Sequence, residues 1–542
     1  MDSALDKLRA SYDESPYPVN SYPQSAPGHL AAVAHLFGLD VPPVAHARVL
    51  EIGSAMGANL LPFAAQYPGA RVVGVDLSPV QSALAQRYVQ SAGLDNVTLL
   101  VGDIGDVDIE ALGPFDYVIC HGVYSWVTEK VRESILSVMG RVLSSNGIGY
   151  LSYNVYPGWK TKEIVREAML LASANADSPA DRVRAAREVA EFLAQVALPG
   201  GTPARAMADH RASVGAAADD YLLHEELELF NTPCYFTDLV RRAQAHGLGY
   251  LAEAQPEQMF AANFGAELAA QLDARCGDDR IGVQQYLDLA INRAFRRSLL
   301  VRQEHTDDIG HSVNHRRFAD VHFAGWLPPA DGETRLDGSA QEFGGPDTPA
   351  LTIDDTVQKV AIDVLNASWP WTLSRDELIA SVRASLPFSR VPEHLEARID
   401  GLLHSLVVGG LVRYRMDRVR PQQNSLLRLH EPARRLAAAT RDDAQSYSFT
   451  AWHEMVALAP FERYLLPLLD GTRDRRALVE TMMGYARRHA IGFERDGRRV
   501  TDEAELRELI AVQIDQLPYR LAGLNLTEAD QPPSDEWQST SA

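Results

Sequence analysis

Short apolar runs alternate with helical patterns between residues 46 and 155. The apolar runs are Ala47–Ile52, Ala70–Val75, Val97–Val101, Phe115–Cys120 and Gly147–Tyr153. The segments with helical spacing between them are Asn59–Gln66, Pro79–Ala92 and Thr128–Leu143. Strands that alternate with helices at this spacing pair in parallel, so the pattern predicts a doubly wound α/β sheet with helices on both faces.

The segment 160–220 is rich in Ala, Arg and Glu, and its apolar residues at helical spacing predict a helical insertion. Strand patterns follow at Gly249–Ala254 and Phe295–Arg302, each preceded by a helical pattern. We expect them to complete the same sheet, which then has seven strands. The Pro- and Tyr-rich arm at 11–30 lacks the apolar periodicity of a helix, so we expect an irregular segment packed on the domain surface.

The C-terminal half predicts two smaller, mainly helical domains. Helical patterns at Asp354–Ala367, Arg375–Ala384 and Glu393–Val408, followed by a strand, predict a winged-helix-like domain at 306–422. Further helical patterns predict a C-terminal helical domain at 423–530. The polar, Pro- and Ser-rich tail at 531–542 predicts disorder.

Composition and charge limit the kinds of partner that we expect the chain to bind and the compartment in which we expect it. The 542-residue chain carries a formal net charge of −21, which disfavours binding to nucleic acid. Its three cysteines lie far apart and predict neither a disulfide framework nor a zinc site, and we expect no metal. The sequence has no signal-peptide pattern and no apolar stretch that could span a membrane, so we expect a cytoplasmic protein.

The strongest chemical signal is the turn that follows the first apolar run. Glu51 ends that run, and Gly53 and Gly57 then allow a sharp turn into a helix, with Ser54 and Asn59 in the same segment. The spacing differs from that of the dinucleotide-binding fingerprint, whose helix holds a pyrophosphate. An acidic residue here suits the ammonium group of a methionine moiety instead.

Three further signals follow the ends of successive strands, and the last of them is the loop His121–Trp126 after the run Phe115–Cys120. Asp76, followed by Leu77, can accept both hydroxyls of a ribose, and Asp103 can accept an adenine amino group. Carboxyl ends of parallel strands share one edge of the sheet, so these groups predict one S-adenosylmethionine site. The predicted cofactor-binding residues are Glu51, Gly53, Ser54, Gly57, Asn59, Asp76, Leu77, Asp103, Ile104, His121 and Gly122.

Residues around the transferred methyl group are predicted from chemistry alone. His121 is a candidate general base because neutral imidazole is available near pH 7, and Tyr22, Tyr153 and Asn154 are further catalytic candidates. Aromatic residues that could line a substrate channel are Tyr17, Tyr124, Trp126, Tyr156 and Trp159. His224 is a second polar candidate. Each of these residues could instead serve only in packing.

The run from Tyr12 to Trp159 resembles bacterial class I S-adenosylmethionine-dependent methyltransferases that carry a methyltransferase regulatory domain. The shared motifs include YDESPYP, RVLEIG, GVDLSP, FDYVICHGVYSWV and SYNVYPGW, and later HEELELFNTPCYF and LPLLDGTRDRRALV. The chain also resembles rickettsial-type protein lysine methyltransferases. The resemblance implies a seven-stranded, Rossmann-like methyltransferase domain at 1–305, with a regulatory-type segment at 221–305, and a protein lysine as methyl acceptor. Ser54 stands where this family usually has Cys.

Two other functions stay open at this point. A small-molecule N- or O-methyltransferase would use the same cofactor residues, and a non-catalytic adaptor would keep them for binding alone. The partner is therefore a protein substrate or a small molecule, and the sequence leaves a homodimer open.

Overall fold

A computed structural model describes residues 3–17, 19–197, 200–201, 204–208, 219–345, 350–386, 392–420, 426–443, 445–488, 491–495 and 498–524. The tail that the sequence predicts to be disordered, 531–542, lies outside the described residues. Among the helices of the described part, none is both long and apolar enough to span a membrane.

A seven-stranded sheet forms the centre of the first 302 residues, as predicted. Its strands are β1 (Arg48–Ile52), β2 (Arg71–Asp76), β3 (Val97–Val101), β4 (Phe115–Cys120), β5 (Leu143–Asn154), β6 (Leu248–Glu253) and β7 (Phe295–Arg302). The strand order is β3-β2-β1-β4-β5-β7-β6. The pairs from β3 to β5 are parallel, and β7 runs antiparallel to both β5 and β6. The strand order reverses beside β1, which is where sheets of this type bind ligands.

Helices cover both faces of this sheet. They are α1 (Ser3–Glu14), α2 (Pro27–Leu36), α3 (Leu61–Gln66), α4 (Pro79–Ala92), α5 (Glu129–Val142), α6 (Gly158–Ser173), α7 (Pro179–Val196), α8 (Phe236–Ala245), α9 (Ala266–Cys276) and α10 (Arg280–Ile291). Helices α2 and α3 pack into the hydrophobic core on one face, and α5 and α8 into the core on the other. The faces are therefore both buried, which explains the nearly continuous apolar runs of the central strands.

The N-terminal arm differs from its prediction because two helices overlap it. Helix α1 extends to Glu14, and its Leu8 side chain is buried in the same hydrophobic core as α5 and α8. Helix α2 starts at Pro27 and is buried on nearly every side. A helix that is buried all round shows no polar face, so its sequence lacks the amphipathic periodicity on which the prediction depended.

The insertion after β5 is helical, as the sequence indicates. Helices α6 and α7 pack against each other around a small core that includes Val165 and Val183. The chain then returns through a helical turn at Asp219–Tyr221 that continues into a π-helical turn at Leu222–Glu226. Single π-helical turns are frequent at functional sites. In this one, His224 and Glu225 line a cavity at the carboxyl ends of the central strands.

The remaining described residues form two further groups of elements. The first has β8 (His322–Ala324), β9 (Gln341–Phe343), β10 (Leu351–Ile353), α11 (Thr356–Ser368), β11 (Leu373–Ser374), α12 (Arg375–Ser385), α13 (Leu395–Val408) and β12 (Arg413–Arg415). The second has α14 (Glu431–Ala439), β13 (Tyr447–Phe449), β14 (Met455–Ala457), α15 (Pro460–Leu465), α16 (Arg475–Arg487), β15 (Glu494–Arg495), β16 (Arg498–Arg499) and α17 (Glu503–Leu524). In the first group β11, β8 and β12 form a three-stranded sheet, and in the second β13 and β14 form a hairpin. Both groups share hydrophobic cores with the α/β domain, so they are packed against it.

Candidate active site

A cavity of about 1420 Å³, including the solvent at its mouth, lies at the carboxyl ends of β1, β2 and β4. The predicted cofactor residues that line it are Glu51, Gly53, Ser54, Asn59, Asp76, Leu77, Asp103, Ile104, His121 and Gly122. Gly57 belongs to the same turn but is not part of the cavity lining. The position at the strand ends follows from the parallel topology, which brings the segments after successive strands to one edge.

The Gly-rich turn has a backbone that few other residues tolerate. Gly53 and Gly57 have φ angles of 77° and 76°, in the region that favours glycine. The Gly53 amide donates to the carbonyl of Val75 at 2.8 Å, which ties the turn to β2. A Cβ atom on Gly53 would also collide with the side chain of Val123. The turn therefore needs glycine for its conformation and for the close approach of the loop after β4.

Glu51 presents a buried carboxyl oxygen to the cavity. The residue is 4% exposed, and its Oε1 atom accepts a hydrogen bond from the Asn59 amide at 2.9 Å. Its Oε2 atom is buried and has no hydrogen-bond partner among the described residues. Burial raises the pKa of Glu51 to about 8, and the nearby charge of Asp76 adds to the shift. A buried, unsatisfied carboxyl group is costly, and an ammonium group placed against it would satisfy it.

Asp76 is held rigidly at the end of β2. One carboxylate oxygen accepts from the Ala55 amide at 2.7 Å, and the other accepts from the Ser78 amide at 2.8 Å. Each carboxylate oxygen has a further lone pair, so the group can still accept the two hydroxyls of a ribose. Burial raises the pKa of Asp76, while the two amides oppose the shift.

The segment after β3 provides a polar and an apolar wall. Asp103 accepts from the Gly105 amide at 2.9 Å through one oxygen, and Ile104 is 5% exposed beside it. This combination suits a flat, apolar ring with an amino group at its edge, such as adenine.

His121 is held between aromatic rings. It stacks on Tyr22 with the ring centroids 3.5 Å apart, and its Nδ1 atom lies 2.8 Å from the Tyr150 hydroxyl. Burial lowers the pKa of His121 to about 3, with a smaller contribution from the charge of Arg297. So weak a base is a poor match for proton transfer near pH 7, which argues against the general-base role suggested from the sequence. Its contacts favour a role in orienting Tyr22.

One set of side chains in the cavity lining, which we name the acceptor chamber, combines aromatic rings with a carboxyl group. Its side chains are those of Tyr12, Tyr17, Tyr22, Trp126, His224, Glu225 and Phe295. The rings of Tyr12 and His224 stack at 5.1 Å and 2°, and Tyr17 packs against the same histidine at 5.5 Å. Sequence reasoning named Tyr17, Tyr22, Trp126 and His224 but missed Glu225.

Glu225 lies in the π-helical turn, where the Tyr17 hydroxyl donates to its Oε1 atom at 3.4 Å. Burial raises the pKa of Glu225 to about 7, and the charge of Glu226 adds to the shift, whereas Lys162 opposes it. The sequence signal that could have identified Glu225 is the run of carboxylates within the apolar segment at 221–230. Acidic residues are rarely buried unless they are paired or bind a ligand. A carboxyl group that titrates near pH 7 in a cavity is a candidate acid or base.

Two predicted catalytic residues lie in the core and do not reach the cavity. The Tyr153 hydroxyl is hydrogen-bonded to Ser298 at 2.9 Å, and the side chain is fully buried. The Asn154 side chain donates to Asn231 at 3.0 Å. The predicted strand ends at Tyr153, whereas β5 continues through Asn154, and both side chains pack between elements instead.

Three predicted channel residues also lie outside the cavity lining. Tyr124 is fully buried beneath the Arg132 guanidinium, 4.6 Å from its ring centroid. The Tyr156 hydroxyl donates to Glu163 at 2.8 Å. Trp159 packs edge-on against Trp126 at 6.0 Å and so supports a residue that does line the cavity. Among the described residues, no group of three or more His, Cys, Asp and Glu side chains could hold a metal ion.

Family models match three segments of the chain. A model described as "Methyltransferase domain" matches residues 49–147, and "Predicted methyltransferase regulatory domain" matches residues 218–302. "PKMT, C-terminal winged helix domain" matches residues 431–526, within the segment for which the sequence predicts a C-terminal helical domain.

The chain is also similar to whole rickettsial proteins. It is 30% identical over 505 residues to the uncharacterized protein RP789 of Rickettsia prowazekii, a match that covers 92% of this chain and 90% of the relative. RP028 of the same organism is 38% identical over 237 residues, which cover 44% of this chain and 94% of the relative. The solved structure of PKMT2 from Rickettsia typhi in complex with AdoHcy is 27% identical, with a TM-score of 0.82 and coverage of 94% of this chain and 100% of that chain. The chain thus belongs to the same family as RP789, a family of S-adenosylmethionine-dependent methyltransferases that combine a class I methyltransferase domain with a regulatory domain and a PKMT winged-helix domain.

Proposed function

We propose that this enzyme transfers methyl groups from S-adenosylmethionine to lysine side chains of a protein. The observation that carries the proposal is the acceptor chamber, whose lining combines aromatic rings with the carboxyl group of Glu225, to which the Tyr17 hydroxyl donates. Aromatic faces attract cations and a carboxylate neutralises them, so such a chamber favours a cationic amine over a neutral acceptor. The chain is also similar to PKMT2 of Rickettsia typhi, and we read PKMT as protein lysine methyltransferase. This similarity supports a protein lysine as the acceptor.

The proposed cofactor contacts follow the chemistry of each wall. Asp76 would accept the ribose hydroxyls, Asp103 the adenine amino group, and Glu51 the ammonium group of the methionine moiety. Ile104 and Leu77 would pack against the adenine ring. The orphaned Oε2 atom of Glu51 supports this fit, because an ammonium group would satisfy an otherwise costly buried group.

Bound S-adenosylmethionine supplies an electrophilic methyl group that an acceptor amine takes by in-line SN2 displacement. Glu225 would attract the acceptor ammonium and then hold its proton, since its pKa of about 7 leaves the carboxylate available near neutral pH. Loss of hydration in the chamber lowers the pKa of a lysine amine from its ordinary value of about 10.4 and opposes the effect of the aromatic faces and the carboxylate, which raise it. The hydroxyl of Tyr17 would keep the carboxylate in place.

The aromatic residues have separate proposed tasks. Tyr22 would border the transferred methyl group, and His121 would orient it by stacking. Trp126 would form the opposite wall, supported from behind by Trp159. We propose that Tyr153 stabilises the fold and does not touch substrate.

A protein acceptor would also explain why a long segment follows the proposed methyltransferase domain, 1–305. The segments proposed as further domains, 306–422 and 423–530, offer surface for recognising a macromolecule, which a small-molecule enzyme would not need.

The test is a transfer assay with tritium-labelled cofactor, the full chain and two acceptor pools from a bacterial lysate. One pool contains total protein, and the other contains the small molecules that pass a filter. We expect label on protein, and we expect acetylation of lysines in the protein pool to abolish it. Label confined to the small-molecule pool would overturn the proposal in favour of a small-molecule N- or O-methyltransferase. A Glu225→Gln variant should bind cofactor normally and lose transfer.

A further inference from the structure

The loop between β13 and β14 reaches the cofactor edge of the sheet from the C-terminal part of the chain. At its tip His453 is 4% exposed, and its Nε2 atom lies 2.9 Å from Oδ1 of Asn59. The backbone carbonyl of His453 also accepts from the Ser21 hydroxyl at 2.9 Å. A residue separated from Asn59 by 394 positions in sequence therefore contacts a side chain of the cofactor cavity.

The hydrogen bonds around Asn59 show which atom donates and which accepts in each pair. Its Oδ1 atom accepts from the backbone amide of Tyr22 at 2.9 Å, so this atom is the oxygen of the side-chain amide. Its Nδ2 atom must then be the donor to Glu51 at 2.9 Å. His453 consequently donates from Nε2, which fixes its tautomer. The result is a continuous chain of donors from His453 through Asn59 to Glu51.

The backbone at His453 has a conformation that a non-glycine residue rarely adopts. Its φ angle is 61°, and such strain persists where the surrounding structure enforces it, often at functional positions. Two contacts enforce it here. The Trp452 amide donates to the Thr450 hydroxyl at 3.1 Å, and the Arg415 guanidinium donates to the carbonyl of Ala451 at 2.6 Å.

We infer that His453 is a positioning residue for the amino-acid end of the cofactor, so that docking of the β13–β14 loop completes the cofactor site. The inference rests on the proposed contact between Glu51 and the cofactor's ammonium group. Without His453, the Asn59 Oδ1 atom keeps the Tyr22 amide and the Ser25 hydroxyl as donors but loses its third donor. Asn59 is then held less firmly, and so is its hydrogen bond to Glu51, whose Oε2 atom is aimed into the cavity less precisely. Adenosine recognition at Asp76 and Asp103 should not change.

The test compares two ligands that differ in the amino-acid moiety. S-adenosylhomocysteine has it, and 5′-methylthioadenosine lacks it. Calorimetric titrations of the full chain would use His453→Asn, which tolerates the left-handed backbone but is too short to reach Asn59. His453→Gln restores an N–H donor of similar reach. The control is Arg87→Met, which removes a different contact between the α/β domain and the C-terminal part of the chain, from the Arg87 guanidinium to Asp443.

We expect His453→Asn to raise the Kd of S-adenosylhomocysteine about fivefold to tenfold, as for the loss of one hydrogen bond that supports a charged group. The Kd of 5′-methylthioadenosine should stay within about twofold, and His453→Gln should recover most of the affinity. Equal losses for both ligands, or an equal loss in Arg87→Met, would overturn the inference, because domain docking alone would then explain the effect.

A Glu51→Gln variant separates this inference from the assignment on which it rests. If Glu51→Gln weakens S-adenosylhomocysteine binding and His453→Asn does not, the role of His453 is wrong and the proposed cofactor contact stands. If Glu51→Gln has no effect on either ligand, the proposed contact itself fails.

Discussion

Binding of the cofactor at pH 7 is predicted to release almost one proton from Glu51. Burial holds the pKa of this carboxyl at about 8 in the ligand-free protein. At pH 7 the group is therefore about 90% protonated, and an ammonium group against it would lower its pKa to about 5 or below. Nearly the whole population then ionises, so about 0.9 proton is released for each cofactor bound.

The assay is a calorimetric titration with S-adenosylhomocysteine in buffers that differ in their enthalpy of ionisation. The slope of the binding heat against that enthalpy gives the number of protons exchanged. At pH 8 about half of the Glu51 population is already ionised, so the release should fall to about 0.5 proton. This decrease with pH is specific to a group that titrates near 8.

A Glu51→Gln variant provides the control, because it removes the source of the proton. A wild-type binding heat that is the same in every buffer would refute the reasoning, and so would an unchanged slope in the variant. The same shift affects stability. Because the pKa is raised on folding, the contribution of Glu51 is complete below its ordinary pKa of about 4.3 and is lost as pH rises toward 8. The ligand-free variant should therefore lose less stability over that range than the wild type.

Three further predictions address other parts of the molecule. Asp76→Ala should raise the Kd of S-adenosylmethionine about tenfold or more by calorimetry, because two ribose hydroxyls lose a charged acceptor; a Kd within about twofold of the wild type would contradict this. Glu225→Gln should lower kcat/KM about 100-fold and remove the rise in rate that ends near pH 7, since only the ionised carboxylate takes a proton; an unchanged pH profile would exclude Glu225 as that group. Arg296→Met should lower the free energy of unfolding by about 3–5 kcal/mol in urea, because its fully buried guanidinium pairs with buried carboxylates. Arg141→Met, at an exposed ion pair, should change it by less than about 1 kcal/mol.

The positions of Glu51, Asp76 and Asp103 in the cavity lining could be predicted because they are local in sequence. Glu51 and Asp76 lie at the ends of β1 and β2, Asp103 follows β3 by two residues, and parallel topology requires those positions to meet at one edge. The turn with Gly53 is equally local, since its φ angle and the approach of the next loop involve adjacent segments. No long-range information was needed for these residues.

The placement of Glu225 and of His453 depends on contacts that no local pattern encodes. Glu225 reaches the cavity because a helical insertion returns the chain to the sheet edge through a π-helical turn. His453 comes from a hairpin loop in the C-terminal part of the chain. Tyr153 and Asn154 show the opposite error, since the continuation of β5 placed both side chains in the core.

The two buried carboxyl groups of the cavity suggest how it would admit the cofactor's ammonium group and the proposed acceptor amine. Burial raises the pKa of Glu51 to about 8 and that of Glu225 to about 7, so both are partly or mostly protonated at neutral pH in the empty cavity. Each can ionise when a cation arrives, so the cavity avoids an unpaired buried charge both before and after binding. A neutral acceptor would gain nothing from ionised Glu225. For the proposed lysine acceptor, the same titration that makes ligand-free Glu225 tolerable would favour the amine.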